Sequence, residues 1–158
     1  MKRHLACLAL ANLLFATAGN AQLISSSDEP VDITSDAAEF QEDYALWTGN
    51  VRVVQGEAIL TADRLEATID EAGEFETITA YGAVRYTNGK EAIAGRRAVF
   101  EQATRTITVT EKVILTQGKQ VMSAGVVIYW IDSGKVKFTP APGDRIRGIF
   151  YPSSDFSI

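Results

Sequence analysis

Asp63 and Asp70, seven positions apart, are the side chains whose types could do acid–base chemistry. A glycoside hydrolase needs only two carboxyl groups across a cleft and no metal. The rest of the catalytic repertoire is missing. The one His and the one Cys, His4 and Cys7, lie in an N-terminal segment expected to be removed. Ser-His and Cys-His nucleophiles and ordinary zinc sites are thereby excluded. The carboxylates are scattered over turns and outward strand positions, where solvation is their default role, so no catalysis, cofactor or metal is expected. Arginine offers a second chemistry. Arg96-Arg97 and the Arg145, Arg147 pair could meet phosphates bidentately, and alternation would put Arg145 and Arg147 on one strand face. Ordinary solvated surface arginines are the competing account.

Positioning any such group falls to β-structure. Valine followed five positions later by glycine occurs three times, at Val51 to Gly56, Val84 to Gly89 and Val113 to Gly118. The copies start 33 and 29 residues apart, and each is followed by a small-residue corner: Ala62-Asp63, Ala94-Gly95 and Ala124-Gly125. A repeated unit cannot bury its apolar face alone, so the copies must close over a shared core. Two-residue alternation runs through 31–36, 51–53, 65–69, 106–110 and 136–138, and no window carries a sustained helical stripe. Turn signals separate these runs at Gln55-Gly56, Glu71-Ala72-Gly73, Asn88-Gly89, Ala103-Thr104, Gln117-Gly118 and Ser133-Gly134. At Asn88-Gly89 both residues are expected at positive φ. Small residues at the corners let a strand kink and change sheets, which predicts a sandwich, jelly roll or solenoid.

The third chemistry is apolar. Alternation and the repeat assign to the inward face Val51, Val53, Ile59, Leu65, Ile69, Ile78, Val84, Tyr86 and Ile93, followed by Val99, Ile107, Val109, Val113, Leu115, Val121, Ile128 and Trp130. On residues alone these read first as a closed core, since any sandwich needs such a face. A last strand is expected from Arg145 to Tyr151, after the interruption at Thr139-Pro140-Ala141-Pro142-Gly143. The first strand, Val31 to Asp36, and the last are natural edges for main-chain pairing with another molecule, through Val31, Ile33, Ile146, Ile149 and Tyr151.

Lys2 and Arg3, the apolar run Leu5 to Ala18 and Gly19-Asn20-Ala21 read as a cleavable signal peptide over residues 1–21. The run is short of the roughly 20 residues that span a bilayer. Residues 22–30 read as a flexible lead-in, 31–152 as one β-domain and 153–158 as a tail. After cleavage 13 Lys and Arg face 20 Asp and Glu, a net charge of −7 with no basic block, which excludes nucleic acid as a partner. Without Cys the exported domain must be held by packing and ladder hydrogen bonds.

Pro30-Val31-Asp32-Ile33-Thr34-Ser35-Asp36, Trp47-Thr48-Gly49-Asn50-Val51-Arg52-Val53, Leu60-Thr61-Ala62-Asp63-Arg64-Leu65, Ala80-Tyr81-Gly82-Ala83-Val84, Val127-Ile128-Tyr129 and Arg147-Gly148-Ile149-Phe150-Tyr151-Pro152 together form an ordered set. That set resembles the OstA-like family of periplasmic lipopolysaccharide-transport bridge proteins, the LptA family. The resemblance implies an antiparallel β-jelly roll with an open apolar groove for the acyl chains of lipid A. It also implies head-to-tail self-association, an inner-membrane LptC-like jelly roll and an outer-membrane LptD-like N-terminal jelly roll as partners, and a periplasmic location. The anchored relative keeps an N-terminal helix and the outer-membrane relative adds a barrel, and this chain shows neither pattern. Glu111-Lys112 stands where the first repeat has Gly49-Asn50, and Gly125 where it has Asp63, so altered turn geometry is expected there. A carbohydrate-binding or structural envelope sandwich without lipid cargo is the other reading, with Trp47, Tyr81 and Tyr129 as its aromatic platform.

Overall fold

A computed structural model describes residues 29–151. The expected signal peptide, most of the lead-in and the tail lie outside the described residues.

Ten strands form one antiparallel sheet: β1 (Asp32–Thr34), β2 (Ala37–Phe40), β3 (Tyr44–Gln55), β4 (Ala58–Ile69), β5 (Phe75–Thr87), β6 (Glu91–Glu101), β7 (Thr106–Gln117), β8 (Gln120–Trp130), β9 (Val136–Thr139) and β10 (Arg147–Ile149). The path runs β1-β3-β4-β5-β6-β7-β8-β10, with β2 also on β3 and β9 also on β8. Each long strand is longer than one layer can use. Register shifts fall at corresponding places across the sheet: between Thr48 and Val51, Thr61 and Arg64, Tyr81 and Val84, Ala94 and Arg97, and Thr110 and Val113. Such bulges bend a strand, and a bend repeated in every strand folds the sheet along one seam. One layer holds β2, β9 and the parts of β3–β8 on their side of the seam, and the other holds β1, β10 and the remaining parts. The fold is an open jelly roll, all β and made of repeated hairpins.

The seam explains the corner residues. Gly49 and Asn50, Gly82 and Ala83, and Glu111 and Lys112 are consecutive pairs with positive φ, at 77° and 48°, 70° and 40°, and 65° and 56°. The third copy thus keeps the geometry of the first despite its different residues, contrary to the expectation from sequence. Neighbouring strands close on these corners: Asp36 donates its N–H to the Gly49 carbonyl at 2.9 Å, and Asn50 Nδ2 donates to Asp36 Oδ2 at 2.8 Å. The Asp63 carboxylate lies against Gly82 in the same way.

Turn chemistry also departs from expectation at Asn88-Gly89, where only Gly89 has positive φ. Asn88 Oδ1 instead accepts the N–H groups of Lys90 and Glu91 at 3.1 and 2.8 Å, an Asx-type closure of a three-residue loop. The first and last strands are shorter than expected, Asp32–Thr34 and Arg147–Ile149.

Candidate functional site

In an antiparallel ladder, residues directly opposite one another project from the same side of the sheet. Pairing therefore assigns faces that alternation alone leaves ambiguous. Val53 opposes Leu60, and Leu60 opposes Tyr86, which opposes Ile93 and through it Leu115 and Met122. In the other layer Trp47 opposes Leu65, Ala67 opposes Ile78, and Ile78 opposes Phe100, followed by Ile107 and Tyr129. Val51, Val53, Leu65, Ile69, Ile78, Val84, Tyr86, Ile93, Ile107, Val109, Val113 and Leu115 all belong to this inner face or pack against its core.

Five assigned residues do not. Ile59 opposes Val54 and Thr87, Val99 opposes Thr79 and Thr108, Val121 opposes Thr116 and Ile149, Ile128 opposes Thr108 and Lys137, and Trp130 opposes Thr106. All five are on the outer face. The cause is the same in each case: two apolar residues stand side by side, as in Ile59-Leu60, Val99-Phe100 and Val121-Met122, or in the unbroken run Val126 to Trp130. A period of two then has no phase, and only the partner strand decides. The true inner residues Leu60, Phe100, Met122, Val127 and Tyr129 are their immediate neighbours.

The inner face is not uniform along the stack. Toward the N-terminal strands twelve buried side chains from both layers form one cluster, including Trp47, Val51, Val53, Leu65, Ile78 and Phe100. Leu65 is 1 % exposed. Toward the C-terminal strands the fully buried set shrinks to Val109, Val113 and Val127, near the seam. Ile93, Leu115, Met122, Tyr129, Val136 and Phe138 are only half-buried. The interior is thus fully packed at one end and only partly covered at the other. Burial raises the Tyr86 pKa above its ordinary value, aided by Tyr129 and by the Glu91 carboxylate. Tyr86 and Tyr129 come from opposite layers of the folded sheet.

Polar candidates fall elsewhere. Arg97 opposes Tyr81 and Thr110 on the outer face, and Arg96 falls in the register shift beside it. Arg97 and Arg64 both lie over the Tyr81 ring, at 5.5 and 5.8 Å from its centroid. Arg64 is paired with Glu66, and its pKa is raised, first by a hydrogen bond with Tyr44 and then, against desolvation, by Glu66. Arg145 precedes β10 instead of lying within it, and Arg147 opposes Ser123 on the outer face. Neither Arg97 nor Arg147 borders the inner face. Asp63 is a corner residue, whereas Asp70 Oδ1 accepts the N–H groups of Ala72 and Glu74, both at 2.9 Å. Seven residues of strand put them on the order of 20 Å apart, against the roughly 5–9.5 Å of a glycosidase pair. Among the described residues no group of His, Cys, Asp and Glu is gathered for a metal, and no helix is long and apolar enough to cross a membrane. Trp47 is buried inside, Tyr129 faces inward and Tyr81 lies outside between arginines, so they form no common platform.

Both ends of the sheet present edges. At one, Ile33 opposes Val53 and turns inward with Val31 against the core, while Phe40 on β2 is 67 % exposed and meets Trp47 edge-on, with centroids 5.5 Å apart. At the other, Ile146 is half-buried, whereas Ile149, Phe150 and Tyr151 are exposed.

The crystal structure of LptH, the LptA-homologous periplasmic component of the lipopolysaccharide transport device of Pseudomonas aeruginosa, has the same fold, with a TM-score of 0.66 and 20% identity over 79% of this chain and 97% of that one. An uncharacterised protein of Rhizobium meliloti (strain 1021) is 29% identical over 171 residues, 94% of this chain and 91% of the relative. The profile of the LptA/(LptD N-terminal domain) LPS transport protein family matches residues 32–135, from β1 to the turn before β9. With that match spanning well over half of its length, the chain belongs to the LptA/LptD N-terminal-domain family of lipopolysaccharide transport proteins.

Proposed function

We propose that the protein is a periplasmic carrier, exported by a cleavable signal peptide, that holds the acyl chains of lipopolysaccharide between its two layers. The observation that carries this reading is the half-buried inner face of the C-terminal strands, made by Ile93, Leu115, Met122, Tyr129 and Phe138. A protein folding for its own stability alone gains by covering such side chains, at about 25 cal/mol for each Å² removed from water. An acyl chain covers them equally well. Carriage needs no nucleophile, in keeping with the separation of Asp63 from Asp70.

Edge strands supply the connection. β1 with β2 at one end and β10 with β9 at the other leave main-chain groups facing outward, and strand addition there would join like domains head to tail. Phe40 at one end and Ile149, Phe150 and Tyr151 at the other are the exposed apolar side chains that such a contact would cover. The partners on this reading are further copies of the chain, an LptC-like jelly roll at the inner membrane and an LptD-like N-terminal jelly roll at the outer membrane.

The test is photo-crosslinking in cells. A photoreactive residue at Ile93, Leu115 or Met122 should give lipopolysaccharide adducts, and one at Arg52 or Thr108 on the outer face should not. Equal labelling on both faces, or none on either, refutes the carrier.

A further inference from the structure

The inner face of the C-terminal strands changes character one step toward the tips of the β5–β6 and β7–β8 hairpins. Tyr86 opposes Ile93, which opposes Leu115 and through it Met122, a cross-strand row that is apolar but for one phenol. Two residues along each strand, side chains return to the same face. There Glu91 opposes Gln117, and Gln117 opposes Gln120. The register therefore sets three hydrogen-bonding side chains in one row, about 10 Å across and about 7 Å from the apolar row. Gln117 Nε2 donates to Glu91 Oε1 at 3.0 Å, which holds the carboxylate in the row and uses one of its roughly four acceptor sites. Among the described residues Glu91 takes part in neither ion pair, Arg64–Glu66 or Arg105–Asp132. Behind desolvation and Tyr129, Glu91 adds to the raised pKa of the Tyr86 phenol, so its charge is felt on the inner side. Glu91 and Gln117 are exposed, and Gln120 is half-buried like Ile93, Leu115 and Met122. At the packed end the corresponding position, two residues beyond Val53 on β3, is Gln55, which is buried and donates from Nε2 to the Glu29 carbonyl at 3.1 Å. There the chain's own N-terminal segment meets the polar side chain.

We infer that Glu91, Gln117 and Gln120 form a subsite for uncharged hydrogen-bonding groups, the hydroxyl and amide N–H groups of an acylated sugar whose chain lies on Ile93, Leu115 and Met122. The inference rests on the carrier reading and adds to it which headgroup chemistry the protein selects. An acyl chain on the apolar row brings the group it is attached to against the next row toward the tips. Each glutamine amide offers both a donor and an acceptor, and the carboxylate accepts from an O–H or N–H in a charge-assisted hydrogen bond. A fatty-acid carboxylate in the same place meets Glu91, and like charges about 4 Å apart repel even in water. The row therefore receives a neutral, donor-rich head and disfavours an anionic one.

The experiment measures binding to the purified protein of two probes with the same chain, N-dodecanoylglucosamine and dodecanoate, each below its micelle concentration, with lipopolysaccharide as the reference ligand. The wild type should bind the glucosamide more tightly than the fatty acid. Glu91→Gln should strengthen dodecanoate about fivefold by removing the repulsion and leave the glucosamide no tighter, so the preference narrows. Gln117→Leu/Gln120→Leu should weaken the glucosamide about five- to tenfold through two lost hydrogen bonds and leave dodecanoate no weaker. Thr116→Val, on the outer face opposite Ala92 and Val121, should change neither. If Glu91→Gln and the leucine variant keep the wild-type ratio of the two probes, or if the wild type binds lipopolysaccharide but neither probe, the polar subsite is wrong while the carrier stands. If the wild type binds neither the probes nor lipopolysaccharide, both are wrong. An unchanged unfolding temperature verifies that the variants are folded.

Discussion

Gly82→Ala tests the physical account of the seam. Gly82 has φ of +70°, and a Cβ built there meets the Asp63 carboxylate oxygen, with Asp63 Cγ at 2.8 Å and Cβ at 2.9 Å. A left-handed backbone costs a residue with a side chain about 1–2 kcal/mol. The carboxylate of Asp63 can swing away, but its Cβ is fixed to β4, so the two strands must separate at the bend. Overpacking of this kind costs about 1–3 kcal/mol. The total, about 2–5 kcal/mol, is a large share of the roughly 5–15 kcal/mol that holds a domain together. At about 4 °C per kcal/mol for a domain of this size, the midpoint of thermal unfolding followed by circular dichroism should fall by about 8–20 °C. Ala83, the next residue, already has φ of +40°, so positive φ alone is tolerated at the seam and the contact is the discriminating factor. A double-mutant cycle isolates it. Asp63→Gly removes the obstructing Cβ, and combined with Gly82→Ala it should recover about 1–3 kcal/mol beyond additivity. Gly82→Ala within about 0.5 kcal/mol of the wild type, or strict additivity in the cycle, refutes the reasoning.

Leu65→Ala in the fully packed end should cost about 2–5 kcal/mol, read as a shift in the urea midpoint. Leu115→Ala, half-buried on the inner face, should cost distinctly less by the same measurement while lowering lipid crosslinking at Ile93. Phe40→Ser should leave the urea midpoint within about 0.5 kcal/mol, because the ring is 67 % exposed, and should weaken self-association measured by sedimentation. Burial raises the Tyr86 pKa from its ordinary 10.0, so the native state keeps this proton longer than the unfolded chain does. Stability from this source is complete below pH about 10 and is lost as pH climbs toward the folded value. Tyr86→Phe should accordingly reduce the fall in urea midpoint between pH 9 and pH 11, and an unchanged fall would count against the buried placement.

Much of this molecule is written locally. Valine-to-glycine spacing, turn residues and small corner residues announce bent antiparallel hairpins without any tertiary information, because alternation and turn preference depend on a few consecutive dihedrals. The strands around Val51, Val53, Leu65 and Val84 have polar residues on alternate positions, so their inner face was legible too. Ile59, Val99, Val121, Ile128 and Trp130 were not. Each has an equally apolar neighbour, and which of the two turns inward is fixed by hydrogen-bond register with a strand elsewhere in the chain. Glu111 and Lys112 show the same limit for the backbone: their types disfavour the left-handed region, yet the bend shared by five neighbouring strands holds them at φ of 65° and 56°. Arg96-Arg97 offered an anion site in the sequence because the two are adjacent, but the fold places Arg97 opposite Tyr81 and Thr110 on the outer face. Local composition thus determined the elements and their class. Long-range pairing alone decided which side chains share the interior and how fully each is covered, since facing and proximity are properties of strand partners and not of any single stretch of chain.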